Sequence, residues 1–411
     1  MTTNTKQQNI PRGWVIKNLS DLGEFKTGGV DKKIARDEKP VRLVNYMDVY
    51  KHGFIDDSIN FMEVTASDSE IKVAQVRVGD MLFTPSSETP DDIGHSAVVA
   101  KDLPNTLFSY HLARLRFNEE YDNKIDINFR AYFCNARDVL RQFEKASVGA
   151  TRYTISKGKF ESIQVLIPES KKEQQKIAEI LGTVDKDIAK TQEVIEATDK
   201  LKRGLMKDLF TSGTGKTKFV FRNLEELATI STGTTPSTGK KEYYEGNNPF
   251  IKTGEIVNKK IERAEVHISD KAVQDYRLKR YQPGTILVAM YGQGKTRGQT
   301  ALLKIEACTT QNAAAIEPNT EIDSEYLWLF LKSQYELLRS GGIQGHISHL
   351  NLSYMKSYKV PVPSIQEQKK IASILSSIEE RIATNQELKS KLSLLKKGLM
   401  QDLLTGKKRT I

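Results

Sequence analysis

Residues 289–296 read AMYGQGKT and follow the apolar run Thr285–Val288. A Gly-Lys-Thr ending behind a strand-like segment resembles a phosphate-binding loop, in which backbone N–H groups cradle phosphates and the lysine reaches the terminal ones. Ala289 stands where that pattern has its first glycine. Such a loop must run from a strand into a helix whose N-terminus holds the anion. After Thr296 the sequence continues RGQTALLKIEACTT, with a second glycine at 298 and then another strand-like run. That sequence predicts no helix. The matching stretch of the first half, TPSSETPDDIGHS, contains no Gly-Lys-Thr. A stand-alone nucleotide-binding enzyme is therefore the weaker alternative.

Other reactive patterns are incomplete. An adenine methyltransferase carries Asn/Asp-Pro-Pro-aromatic, and the nearest run here, Asn247–Phe250 (NNPF), lacks one proline and any glycine-rich cofactor motif. Asp56, Asp57, Glu70 and Lys72 loosely resemble a nuclease metal set, but the second half has no counterpart. His346 and His349 in HISH lack third and fourth ligands for zinc, and polar loop histidines are the simpler reading. Cys134 and Cys308 stand far apart with no metal-ligand spacing around them. No nucleophile–base–acid set stands out, so the sequence predicts a protein that binds and positions, with no catalytic residue and no metal.

Lys and Arg number 62 against 52 Asp and Glu, a net charge of +10 over 411 residues. That balance favours nucleic acid or another anionic partner. The polar N-terminus (MTTNTKQQNIPRG) is not a signal peptide, and no apolar run approaches the roughly 18 residues of a membrane span. The expected location is the cytoplasm, with no membrane partner.

The elements that position these loops are given by a duplication. EQQKIAEILGTVDKDIAKTQEV from Glu173 matches EQKKIASILSSIEERIATNQEL from Glu367 at half its positions, and LKRGLMKDLFT matches LKKGLMQDLLT. Gly204 and Gly398 mark the same place in each copy, 194 residues apart. Upstream, WVIKNLSDLGEFKTGG from Trp14 corresponds to FVFRNLEELATISTGT from Phe219, and VGDMLFT to PGTILVA. A period this long means two copies of one unit rather than a solenoid. The organisation is a globular block (1–168), a helix (169–215), a second block (216–363) and a second helix (364–411).

Apolar residues in the first helical segment fall at Ile177, Leu181, Val184 and Ile188, and in the second at Ile371, Leu375, Ile378 and Ile382. This is seam spacing. A segment of about 40 residues makes a helix about 60 Å long at 1.5 Å per residue. The nearest partner for each helix is the other copy, paired antiparallel as a coiled coil. The polar Thr191 and Asn385 occupy equivalent seam positions and either fix register or face solvent. Gly204 and Gly398 imply either a close helix approach or a kink. The blocks read as short strands and loops, each with one helix, over Ile127–Phe143 and Ser324–Ser340. The fold class is α+β: two mainly-β domains and two long helices with an internal pseudo-two-fold repeat.

This plan, with EQKKIA-IL, a long helix and LKKGLMQDLLTG given twice, each after a variable block, resembles the specificity subunit of type I restriction–modification enzymes over essentially the whole chain. The stretch LVAMYGQGKTRGQTALL resembles one common class of target-recognition domain in that family. The resemblance implies that each block reads one half of a split double-stranded DNA target, and that the helices set the spacing and dock two methyltransferase subunits. S-adenosylmethionine then belongs to the methyltransferase partner, and ATP and Mg to restriction subunits, with no cofactor in this chain. Half-sites read from one face lie about one turn, roughly 34 Å, apart, which a helix pair of about 60 Å can span. A coiled-coil scaffold with no DNA role is the remaining alternative.

Base readout uses Arg, Lys, Asn, Gln, Ser or Thr presented on loops, and phosphate contacts use Lys, Arg and backbone N–H. The second-block candidates are Tyr291, Gln293, Lys295, Arg297 and Gln299, then Gln311 and Asn312, then Gln344 and His346. The first-block counterparts are Ser86, Ser87, Glu88 and Thr89, then His95, Tyr110 and His111, then Arg152 and Tyr153. The plain alternative for each is a solvated loop residue. Lys396, Lys397, Lys407, Lys408 and Arg409 either attract DNA or, as the favoured reading, only solubilise the C-terminal segment.

Overall fold

A computed structural model describes residues 10–214, 219–292, 294–340 and 350–411. It contains two compact units, Met1–Thr191 with Leu388–Ile411, and Gln192–Glu387.

The first unit contains β1 (Trp14–Asn18), β2 (Gly23–Thr27), β3 (Lys39–Val44), β4 (Phe54–Ile55), β5 (Met62–Ala66) and β6 (Met81–Phe83). It continues with β7 (Ser86–Ser87), β8 (Ser96–Val99), β9 (Thr106–Phe108), β10 (Ala113–Phe117), β11 (Tyr153–Thr154) and β12 (Gln164–Pro168). The second unit contains β13 (Val220–Asn223), β14 (Ala228–Thr232), β15 (Asn248–Ile251), β16 (Lys259–Ile261) and β17 (Val266–Ile268). Then come β18 (Ile286–Ala289), β19 (Thr300–Leu303), β20 (Cys308–Thr309), β21 (Ala313–Pro318) and β22 (Lys359–Val362).

The two units repeat one topology. A five-stranded sheet runs β2-β10-β6-β8-β4 in the first and β14-β21-β18-β19-β16 in the second. In both, the last strand is parallel to its neighbour and the others are antiparallel. A three-stranded sheet, β5-β3-β9 or β17-β15-β20, and a two-stranded ribbon, β1-β12 or β13-β22, complete each unit. The first unit adds the pair β7-β11. The central strands β8, β18 and β19 are buried at every position, as apolar runs covered on both faces must be.

The helices expected at 127–143 and 324–340 are each broken into two: Ile127–Phe133 and Arg137–Ala146, and Ser324–Ser333 and Tyr335–Ser340. Asn135 explains the first break. Its amide donates to the Ala131 and Ser96 carbonyls and accepts from the Ser96 N–H, tying the chain to β8. In the second, the Gln334 N–H reaches back to Phe330 and Leu331, closing the turn.

The long helices are Lys171–Ser212, the central helix, and Ile365–Leu403, the C-terminal helix. In the first unit Ile177 and Leu181 share one core with Leu403, Leu404 and the domain residues Phe129 and Phe133. In the second, Ile371 and Leu375 share a core with Leu209, Phe210 and Tyr326. These four residues therefore pack on the globular domain as well as on the other long helix, which corrects their reading as a pure helix–helix seam. Val184 is buried, while Ile188, Ile378 and Ile382 are half-buried.

Polar contacts between the helices are duplicated as well. Lys396 pairs with Asp185 at 2.5 Å in the first unit, and Lys202 with Glu379 at 3.3 Å in the second. The Lys-Asp and Lys-Glu pairs are the same pair, 194 residues apart in sequence. The first-turn Glu173 is fully buried and takes a two-pronged contact from Arg409, at 2.6 and 2.8 Å. Its repeat Glu367 accepts from Thr214 instead, through N–H and hydroxyl. Lys407 and Lys408 pair with Asp402. Lys396 and Arg409 are thus structural, whereas Lys407 and Lys408 stay exposed in surface pairs of the kind that add little.

Thr191 is buried and donates to the Asp187 carbonyl, and Asn385 donates to the Arg381 carbonyl, so each satisfies its own helix. Gly204 and Gly398 are exposed, and a Cβ at either meets open space. The close-approach reading fails for contacts within the described chain.

Candidate nucleic-acid interface

The loop 290–299 joins two antiparallel neighbours, β18 and β19, with Ile286 opposite Leu302 and Val288 opposite Thr300. No helix follows it, so it lacks the anion-holding helix N-terminus of a phosphate-binding loop. Its base is pinned by the Met290 N–H donating to the Asn312 carbonyl. Its far side is pinned at the Lys295 carbonyl, which accepts from Gln299 Nε2 at 2.9 Å and Tyr335 Oη at 2.8 Å. Gln299 therefore braces the loop. Gly298 is at φ +84°, and a Cβ there would lie 2.8 Å from the Arg339 backbone nitrogen. That glycine serves the packing of helix Tyr335–Ser340 against the loop.

Tyr291 and Lys295 are exposed, and Arg297 is half-buried. Gln311 is exposed and accepts from the Thr235 hydroxyl, and Asn312 is half-buried beside it. The structure thus brings the 291–299 candidates and the 311–312 pair together. Gln293, Gln344 and His346 lie outside the described residues.

In the first unit the corresponding connection, Thr84–His95, joins β6 to β8 and carries β7 within it. Ser86 and Ser87 are under the surface, because β7 pairs with β11: Ser87 faces Tyr153 and Ser86 faces Thr154. Ser86 Oγ accepts from Arg152 Nη2 at 3.2 Å, and Ser87 Oγ accepts from the Thr89 N–H. These two serines orient their neighbours rather than present themselves. Glu88, Thr89 and Arg152 are exposed, and His95 and Tyr153 are half-exposed.

Tyr110 is exposed and its ring lies 3.8 Å from that of His111. Burial, then the positive charges of Arg152 and Lys32, hold the His111 imidazolium below its ordinary pKa. That electrostatic link places Arg152 and Lys32 near His111. Tyr110–His111 and Gln311–Asn312 are equivalent positions, each following the strand parallel to the middle of the three-stranded sheet (β9 on β3, β20 on β15).

The structure adds residues that loop composition did not flag. The short helix Tyr46–Lys51 brings Tyr46 and Tyr50 to the Thr84–His95 connection. The tyrosine spacing in NYMDVYK, four apart behind an Asn cap, was the available signal. Tyr50 contacts Asp92, which raises the phenol pKa. Among the described residues no group of three His, Cys, Asp or Glu side chains could hold a metal, and no helix is long and apolar enough to cross a membrane.

Two units of one topology, each presenting a loop between equivalent central strands, define a duplicated recognition protein. The chain belongs to the type I restriction modification DNA specificity domain family, whose model matches it twice, over residues 11–197 and 216–394. It is 25% identical to the putative type I restriction enzyme MjaX specificity subunit of Methanocaldococcus jannaschii, over 98% of this chain and 96% of that one. The fold is shared with the type I restriction–modification S subunit from M. genitalium at TM-score 0.60 and 17% identity, covering 97% of each chain. A structure from work on complex assembly and conformational transition of the type I system matches at TM-score 0.62 and 17% identity, over 96% of this chain and 98% of that one.

Proposed function

We propose that this chain reads an asymmetric, two-part DNA sequence, one half with each unit, and carries methyltransferase subunits to it. The observation that carries this reading is a repeated scaffold with unlike contact residues at like positions: Tyr110 and His111 in one unit, Gln311 and Asn312 in the other. A scaffold kept twice with different side chains suits two different half-sites. The net charge of +10 supplies long-range attraction to a polyanion.

Ser86 and Ser87 position Arg152 and Thr89, and Glu88, His95, Tyr110, His111 and Tyr153 complete the first contact surface. Tyr291, Lys295 and Arg297, braced by Gln299, form the second with Gln311 and Asn312. Two methyltransferase subunits dock, one for each copy of the long helix, and restriction subunits join through them. The methyl donor S-adenosylmethionine binds in the methyltransferase, and ATP and Mg in the restriction subunit. This chain contributes recognition and no catalytic group, and it works in the cytoplasm where the DNA is.

The test is spacing. With the half-sites known, DNA in which their separation is changed by one or two base pairs should lose binding to the complex of this chain with its methyltransferase. Equal binding at every spacing would remove the two-part reading.

A further inference from the structure

The Thr84–His95 connection contains a polar set built before any ligand arrives. Tyr50 Oη donates to Asp92, with both carboxylate oxygens at 3.1 Å. His95 Nε2 lies 2.9 Å from Asp92 Oδ1, and its ring meets the Tyr50 ring edge-on at 5.0 Å. Tyr46 stacks on Tyr50 with ring centroids 6.0 Å apart. Despite two hydrogen-bonding neighbours, the Asp92 side chain is still 43% exposed. An ionised carboxylate offers about four lone-pair sites, so acceptor capacity remains toward solvent. Beside it, Tyr50, His95 and Ser96 line one open groove of about 1170 Å³. Ser96 is 2% exposed and its Oγ has no hydrogen-bond partner among the described residues.

We propose that Asp92, held in place by Tyr50 and His95, accepts a hydrogen bond from an exocyclic amino group of one base in the first half-site. The inference rests on the proposed function and gives one of its contacts a chemistry. A carboxylate on a DNA-facing surface is repelled by every phosphate and is useful only where it meets a donor. The major-groove donors of the bases are the cytosine N4 and adenine N6 amino groups. Tyr50 and His95 hold the carboxylate in place while leaving it 43% exposed, so such a donor can reach it. The equivalent connection of the second unit carries Lys295 and Arg297, donors suited to the O6 and N7 acceptors of guanine. At this connection Asp92 and the Lys295–Arg297 pair thus carry opposite hydrogen-bond polarity.

The test uses the complex of the full chain with its methyltransferase, bound to its own two-part sequence. Each first-half base in turn is replaced by an analogue lacking the amino group, 2-pyrimidinone for cytosine or purine for adenine. At one position the wild-type complex should lose roughly 5- to 150-fold in affinity, the range of one good base contact. The Asp92→Ala complex should show no extra loss there, which separates the contact from general weakening of the base pair. Which analogue responds distinguishes cytosine from adenine. Tyr50→Phe, which keeps the ring and frees the carboxylate, should reduce the response and serves if Asp92→Ala does not fold. No responding position in the wild type, or an undiminished response in both variants, overturns the proposal. Failure of the wild type to bind any two-part sequence would instead overturn the proposed function.

Discussion

Gln174 Oε1 accepts the backbone N–H of Asp126 at 2.7 Å. Its amide donates to the Pro168 and Lys124 carbonyls, and the side chain is 1% exposed. The second unit repeats the arrangement: Gln368 accepts from Asp323 at 2.7 Å and donates to Pro363 and Glu321. In each unit one glutamine locks the first turn of a long helix to the capping residue of a domain helix. Replacing Gln174 by Leu leaves three backbone groups without partners. Unsatisfied buried groups cost about 1–3 kcal/mol each, and partial relaxation brings the expected loss to about 2–4 kcal/mol. Urea unfolding measures it, and limited proteolysis should show new cuts in the first unit only. Gln368→Leu should do the same to the second. An unchanged midpoint in both would show that the lock is not needed.

Gly204 and Gly398 stand exposed in long helices with open space where a Cβ would point. Alanine at either should stabilise the isolated chain by about 0.5–1 kcal/mol. If the methyltransferase packs its backbone against these glycines, the same substitutions should weaken assembly, read by analytical ultracentrifugation. Stabilisation with unchanged assembly would place the docking surface elsewhere on the helices.

His111 is held below its ordinary pKa first by burial and then by Arg152 and Lys32. The folded protein therefore binds fewer protons there than the unfolded chain, so stability falls as pH drops from about 6.5 through the depressed folded value. Phosphates nearby favour the protonated ring, so DNA affinity should rise over the same fall in pH. His111→Gln should flatten that rise, as measured by fluorescence anisotropy between pH 7.5 and 5.5. A variant that keeps the wild-type slope would separate His111 from DNA.

Arg297 is half-buried on the braced 290–299 loop. Arg297→Ala should relax one position of the second half-site by about 1–3 kcal/mol and leave the first half-site intact. Selection from a randomised half-site library reads this directly. A uniform loss over all sequences would make Arg297 a phosphate contact.

Much of this was legible in the sequence because the signals are local or repeated. The duplication around Glu173 and Glu367 gave the two units, and the second glycine and strand-like run after Thr296 removed the nucleotide reading of the Gly-Lys-Thr loop. What was not legible depends on contacts between distant residues. Ser86 and Ser87 sink because β7 pairs with β11, more than 60 residues away. Arg409 became structural by reaching Glu173, 236 residues away in sequence. The helix break at Asn135 comes from its bonds to Ser96. Asp92 has no local signal, since its two partners, Tyr50 and His95, come together only through the fold.

Two-part, asymmetric DNA recognition in the service of methylation can be read by modified-base sequencing of DNA from cells carrying this chain and its methyltransferase. Adenine methylation is expected at a single sequence made of two unlike halves with an unread spacer, lost when this chain is deleted. Methylation confined to continuous palindromes, or unchanged on deletion, would contradict it.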